Sequence, residues 1–237
     1  MSRRLGLCLL ALGLLLSAAL SLLAIWGDME AARFDRNLSL LREASLPGLR
    51  CPILLAAGES ATVSAPFANP LDRPLDLRIW VHVSRYLTLL RETKTTLSLA
   101  PGEKQRLAWD VGPDDVVYDH LILVKMHQFR RAPLPGRTGS CGIVVLPLSG
   151  LSGRLAFTLA LVAALLSLAA GLGLWLAALR PLRRRHRAAA YALGVLLAFV
   201  ALAFLLALLG LWLAALFALA TSLLLLGAIL GHFAPRP

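Results

Sequence analysis

Residues 188–234 read AAAYALGVLLAFVALAFLLALLGLWLAALFALATSLLLLGAILGHFA, 47 consecutive positions in which only His232 can carry charge near neutral pH. One straight helix of that length would run about 70 Å, roughly two thicknesses of a bilayer's hydrocarbon layer. The run therefore has to fold back. Gly210, in Leu209-Gly210-Leu211-Trp212 near its middle, permits a tight turn, and Trp212 suits the headgroup level. This predicts two spans, 188–209 and 212–231. Two further uncharged runs lie upstream, at 5–26 and 155–179, each long enough to cross. The chain thus reads as a membrane bundle of four transmembrane helices.

Composition agrees. Of 237 residues, 58% are hydrophobic and only 16% charged, which excludes both an ordinary soluble domain and a disordered chain. Three cysteines exclude a disulfide miniprotein.

The net charge of +11 invites a nucleic-acid reading until the charges are placed. Arg3 and Arg4 precede the first run, and Arg180, Arg183, Arg184, Arg185 and Arg187 separate the second from the third. Arg236 follows the fourth, and every Asp and Glu lies between Asp28 and Asp119. By the positive-inside rule, residues 1–4, 180–187 and 232–237 are cytoplasmic, and 27–154 lie outside. Lipid headgroups then account for the Arg-rich loop, and no nucleic-acid partner is expected. The excess of Arg over Lys, 21 to 3, suggests a GC-rich bacterial source and hence a bacterial cytoplasmic membrane. The first run continues to Trp26, beyond the length of an ordinary signal core, so it reads as an uncleaved signal anchor rather than a cleaved signal peptide.

Between the first two spans the pattern changes. Residues 27–48 read as a juxtamembrane helix and linker: a helix over Asp28 to Ala44 that continues or follows the first span, with Met29, Phe34, Leu38 and Leu41 at helical spacing, ended by Ser45-Leu46-Pro47-Gly48. Short β-like runs follow at 49–55, 60–67, 75–83, 93–99, 105–111, 118–129 and 141–148. The clearest is 75–83, where Leu75, Leu77, Ile79, Val81 and Val83 alternate with mainly polar residues. Seven or so strands in about 100 residues predict an all-β antiparallel sandwich over 49–148. With its Asn69-Pro70 and Pro101-Gly102-Glu103 turns, this region resembles an immunoglobulin-like domain of bacterial surfaces. The Cys…Trp…Cys spacing of antibody domains is absent, and the resemblance implies a fold but no activity.

Cys51 and Cys141 are the two thiols outside the membrane, on the first and last expected strands. Sandwiches often place those strands side by side, so a disulfide is expected in an oxidising compartment. Neither cysteine has the Cys-x-x-Cys context of a redox site. His82, His120 and His127 are the external histidines, and His82 and His120 could meet on neighbouring strands beside Asp119. No ligand spacing, nucleophile motif or phosphate-binding glycine loop supports a metal, a cofactor or catalysis. Asp114-Asp115 reads as a turn.

The helices carry no internal charge, which disfavours a transporter or channel acting alone. They do carry small residues four apart: Gly13, Ser17 and Ser21; Ala163, Ser167 and Gly171; Ala190, Gly194 and Ala198; Gly227 and Gly231. Such spacing permits close helix packing, within the bundle or against another subunit. The reading that follows is a non-catalytic accessory or structural subunit of a membrane complex, meeting lipids and other envelope proteins. The alternatives are a metal-handling or thiol-redox factor, and a sensor module signalling through a partner.

Overall fold

A computed structural model describes residues 2–35, 44–86, 89–178 and 184–233. The chain forms two compact units, residues 1–25 with 156–237 and residues 26–155.

The first unit is helical. Helix α1 spans Ser2–Arg33, α2 Gly153–Ala178, α3 Arg184–Leu208 and α4 Trp212–Phe233. All four are long and apolar enough to cross a membrane. The turn between α3 and α4 falls at Gly210, whose φ of 71° suits a residue without Cβ. There the amides of Gly210 and Leu211 donate to the carbonyls of Ala207 and Leu206, the paired bonds that close a helix C-terminus.

Small residues set the close approaches, though not at every expected position. A Cβ on Gly13 would stand 2.6 Å from Leu168 Cγ, and one on Gly171 2.6 Å from the Leu10 amide. Gly6, absent from the expected set, meets Trp175 in the same way at 2.9 Å. Ser21 is buried and donates to the Ser17 carbonyl. In α2 the buried alanine is Ala164, while Ala163 is exposed and Ser167 half-buried. Gly194 and Gly227 have open space where a Cβ would stand, so they mark no close approach within the chain. Helices α3 and α4 instead bury Leu196, Val200, Ala203 and Ala207 and Ala215, Ala218, Leu219 and Ser222, each set lying along one helical face. The surroundings of Gly231 and the side chains of Arg3, Arg184, Arg185 and Arg187 lie outside the description, as do Arg180 and Arg183 entirely.

The second unit holds the strands β1 Ala44–Ser45, β2 Leu54–Ala56, β3 Ala61–Ala68, β4 Leu75–Arg85, β5 Leu89–Leu99, β6 Lys104–Val111, β7 Leu121–Gln128 and β8 Arg137–Leu146. Six form a sheet in the order β1-β8-β7-β4-β5, with β2 also on β8; β3 and β6 form a second sheet. Alternation decides which face is buried. Leu77, Ile79, Val81 and Val83 of β4, Ile122, Val124 and Met126 of β7, and Ile143 and Val145 of β8 share one apolar core with Val63, Ala65 and Phe67 of β3.

Two expectations need correction. The unit is not purely antiparallel, because β1 and β2 pair with β8 in parallel. Nor is the first strand continuous over 49–55. Arg50 makes a two-way backbone bridge to Ser64 of β3, and only from Leu54 does the chain pair with β8. The segment passes from one sheet to the other, and Cys51 sits at the crossing.

Candidate functional site

The outward face of the six-stranded sheet is half covered. Along β4, Asp76 and Arg78 are exposed, Trp80 is half-buried, and His82 and Ser84 are buried. The cover includes the last turns of α1, which ends at Arg33; the rest of the expected juxtamembrane helix, with Leu38 and Leu41, lies outside the described residues. Gly27 and Gly142 lie so close that a Cβ on Gly142 would overlap the Gly27 carbonyl. The Gly142 amide also donates to Asp28 Oδ1 at 3.3 Å.

The helix stops where its carbonyls find a cation. Lys125 Nζ, on the outer face of β7, donates to the carbonyls of Ala32, Phe34 and Asp35 at 3.3, 2.6 and 3.3 Å. These are helix C-terminal carbonyls, which lack intrahelical partners and attract positive charge. Asp35 leaves the helix in the left-handed region, φ 48°. Burial lowers the Lys125 pKa from its ordinary value, and the charge of Asp35 opposes that shift.

His82 stands directly across from Lys125 on the neighbouring strand. Its Nδ1 lies 2.5 Å from Asp35 Oδ2. Its Nε2 lies 3.4 Å from Glu92 Oε1, close enough for charge attraction but not aligned as a hydrogen bond. The Lys94 ammonium, 3.1 Å from Glu92, holds that carboxyl below its ordinary pKa, aided by His82. Lys94 also lies over the Trp80 ring at 4.4 Å. His127, opposite Trp80, pairs through Nδ1 with Thr138 Oγ1 at 3.0 Å and packs edge-on against Phe129.

The three histidines are therefore not assembled. His120 lies in the turn before β7, stacked on Trp26 at a ring separation of 5.0 Å. Among the described residues, no group of three or more His, Cys, Asp or Glu is placed to hold a metal ion. The Asp35–His82 pair resembles the orienting half of a catalytic triad, but the free ring nitrogen faces a carboxylate instead of a hydroxyl or thiol. Cys51 and Cys141 form a disulfide with a Cα separation of 6.5 Å, joining the crossover segment to β8.

A shallow cleft of about 300 Å³ opens beside the 3-10 turn Pro113–Asp115. Within it Arg91 and Asp115 form an ion pair. Arg91 donates to both Asp115 oxygens at 2.8 and 3.2 Å, and Asp115 Oδ2 accepts from the Gly112 amide. Asp114-Asp115 is thus a turn, tied down by Arg91.

Sequence reasoning missed Asp35 and Lys125. The signal was present in β7: Leu121-Ile122-Leu123-Val124-Lys125-Met126 is an apolar run with one charge inside it, the mark of a strand buried on both faces around a satisfied cation.

No protein-family model and no curated protein matches the chain. Among solved structures, the CARDB domain of a Pyrococcus furiosus protein, in complex with di-metal ions, shares 13% identity with a TM-score of 0.33. That match covers 45% of this chain and 94% of the domain. A Paenibacillus cycloisomaltooligosaccharide glucanotransferase complexed with cycloisomaltoheptaose shares 9% identity with a TM-score of 0.31. The match covers 45% of this chain but only 14% of the transferase.

Proposed function

We propose that the chain is a non-catalytic accessory or structural subunit of a bacterial cell-envelope membrane complex. The four apolar helices anchor it and pack against neighbouring subunits. The strand-rich unit is an immunoglobulin-like sandwich outside the cytoplasm that offers a protein-binding surface. Both termini and the Arg-rich loop face the cytoplasm. The distribution of arginines and the disulfide, which belongs to an oxidising compartment, support this orientation.

One observation carries the non-catalytic reading. The buried ionisable groups of the covered sheet face are engaged in holding protein: Lys125 caps α1, His82 pairs with Asp35, and His127 pairs with Thr138. Buried charges engaged in this way fix geometry instead of facing a substrate.

Extraction of the tagged chain from native membranes in mild detergent tests the proposal. A complex with a partner in fixed stoichiometry is expected. A lone monomer at native expression level would sink it. A C-terminal reporter active only in the cytoplasm tests the orientation separately, and silence from it would reverse the topology.

A further inference from the structure

The large apolar side chains exposed on the strand-rich unit are not scattered. Among its described residues they are Tyr86, Leu89, Leu90, Tyr118 and Leu151, with Trp26 and Leu155 where the chain enters and leaves the unit. Strand register places all of them at one end of the six-stranded sheet. Val83 of β4 pairs with Val124, so Tyr86, just beyond β4, and Leu89 and Leu90 at the start of β5 lie near the level of Leu121. Tyr118 is in the turn immediately before Leu121. Leu121 in turn pairs with Val144, near the end of β8 that runs on through Leu151 to α2. Trp26 stacks on His120 at the same level. The opposite end presents Asp72, Arg73, Glu103 and Arg130 instead.

Backbone conformation sets the two tyrosines apart. Tyr86 has φ 52°, and Tyr118 and Asp119 have φ 53° and 62°. A turn with two central residues in the left-handed region ordinarily uses Asn-Gly, since a side chain there costs about 1–2 kcal/mol. Here the strained positions carry exposed aromatic rings, each 55% accessible. Backbone strain clusters at functional sites, so its presence under exposed rings motivates a functional reading.

We infer that this end of the unit is a membrane-contact surface, with Tyr86, Leu89, Leu90 and Tyr118 seated at the headgroup level of the bilayer. The occupant is a lipid surface because both chain crossings leave from this end toward apolar helices. Tyrosine and tryptophan prefer that depth, with the ring in the acyl boundary and the polar tip in the headgroups. Arg85, Asp114 and Asp119 are exposed at the same end, with both signs present, so apolar contact and not lipid charge drives the seating. The inference rests on the proposed spanning of the bilayer by the four helices.

Spin labelling of the full chain tests it. In a Cys8→Ala background, single cysteines are introduced as Leu89→Cys, Tyr118→Cys, Asp72→Cys and Leu165→Cys. Each labelled protein is reconstituted into vesicles of phosphatidylcholine and phosphatidylglycerol. Collision with a water-soluble nickel chelate should fall several-fold at 89 and 118 relative to 72, while collision with oxygen rises. Free access of the chelate to 89 and 118, with 165 shielded, would overturn the membrane contact and leave the spanning reading standing. Free access at 165 as well would overturn the spanning reading itself, and the contact with it. Protection of 89 and 118 from both chelate and oxygen would assign the patch to a second protein copy and also overturn the inference.

Discussion

Replacing Gly142 by alanine tests whether the end of α1 is held by close backbone approach. The new Cβ would stand 2.6 Å from Gly27 Cα and overlap the Gly27 carbonyl. Ordinary carbon–carbon contact lies near 3.5–4.0 Å, so α1 must lift from the sheet by roughly 1 Å. Two of the three Lys125 bonds are already 3.3 Å long, and the Asp28 bond to Gly142 is 3.3 Å, so that displacement breaks them. Overpacking costs about 1–3 kcal/mol, and each lost bond roughly 1 kcal/mol. The total is about 4–6 kcal/mol. For a unit of this size that corresponds to roughly 12–24 °C in Tm. The assay is thermal unfolding of the detergent-solubilised full chain by near-UV circular dichroism. Gly139→Ala is the control, because its Cβ would meet only the side chains of Leu46 and Leu49, at 3.1 and 3.2 Å, which can yield. A Gly142→Ala protein that melts with the Gly139→Ala control would refute the backbone latch.

Three other contacts can be tested in the same way. Lys125→Met removes the cap from the α1 carbonyls but also relieves the burial of an ammonium, for a net loss of about 1–3 kcal/mol in denaturant unfolding; an unchanged midpoint would mean the cap holds nothing. Cys51→Ala with Cys141→Ala opens a link between residues 90 apart, worth roughly 4–5 kcal/mol by chain entropy. Wild type should lose that stability on reduction, while the double variant should not respond to reductant. Glu59 accepts from the amides of Ala56 and of Gly153 at the start of α2, both at 2.7 Å, and these bonds lower its pKa below the ordinary 4.5. A carboxyl with depressed pKa stabilises above its unfolded value and loses that contribution as pH falls through the folded one. Glu59→Gln should therefore be less stable than wild type above about pH 4.5, with the gap closing in more acidic melts; a constant gap would deny the linkage.

Periodicity made some of this structure readable in advance. Leu75 to Val83 alternates cleanly, and those odd-numbered residues do fill the core. The uncharged runs became four long helices, with the reversal at Gly210, because length and glycine act locally. Partner choice was not readable. Parallel pairing of β2 with β8 depends on a crossover at Cys51 that no local pattern encodes. The partner that meets the end of α1 was unreadable for the same reason: the carbonyls beyond Arg33 accept from Lys125, 92 positions away from that residue.

The covered sheet face shows why the candidate site was harder to read than the fold. A period of two divides a strand into core and outward residues, and outward residues are normally taken to meet water. His82, Lys125 and His127 all fall in the outward class, so each reads singly as a surface residue or a possible ligand. The burial of His82 and Lys125 follows only once the end of α1 and Asp35 pack against them, while His127 is held by Thr138 and Phe129. Burying an ammonium is costly unless several acceptors converge on it, and a helix C-terminus presents such a cluster of unpaired carbonyls. The polar face of the sheet and the unsatisfied end of the helix therefore answer one another. Lys125 needs acceptors, the helix needs a cation, and Gly27 against Gly142 lets the two backbones approach closely enough to meet both needs. On this logic the pairing of Lys125 and His82 is explained by the docking of one helix end, whereas the exposed tyrosines Tyr86 and Tyr118, with positive φ, stand outside that docking.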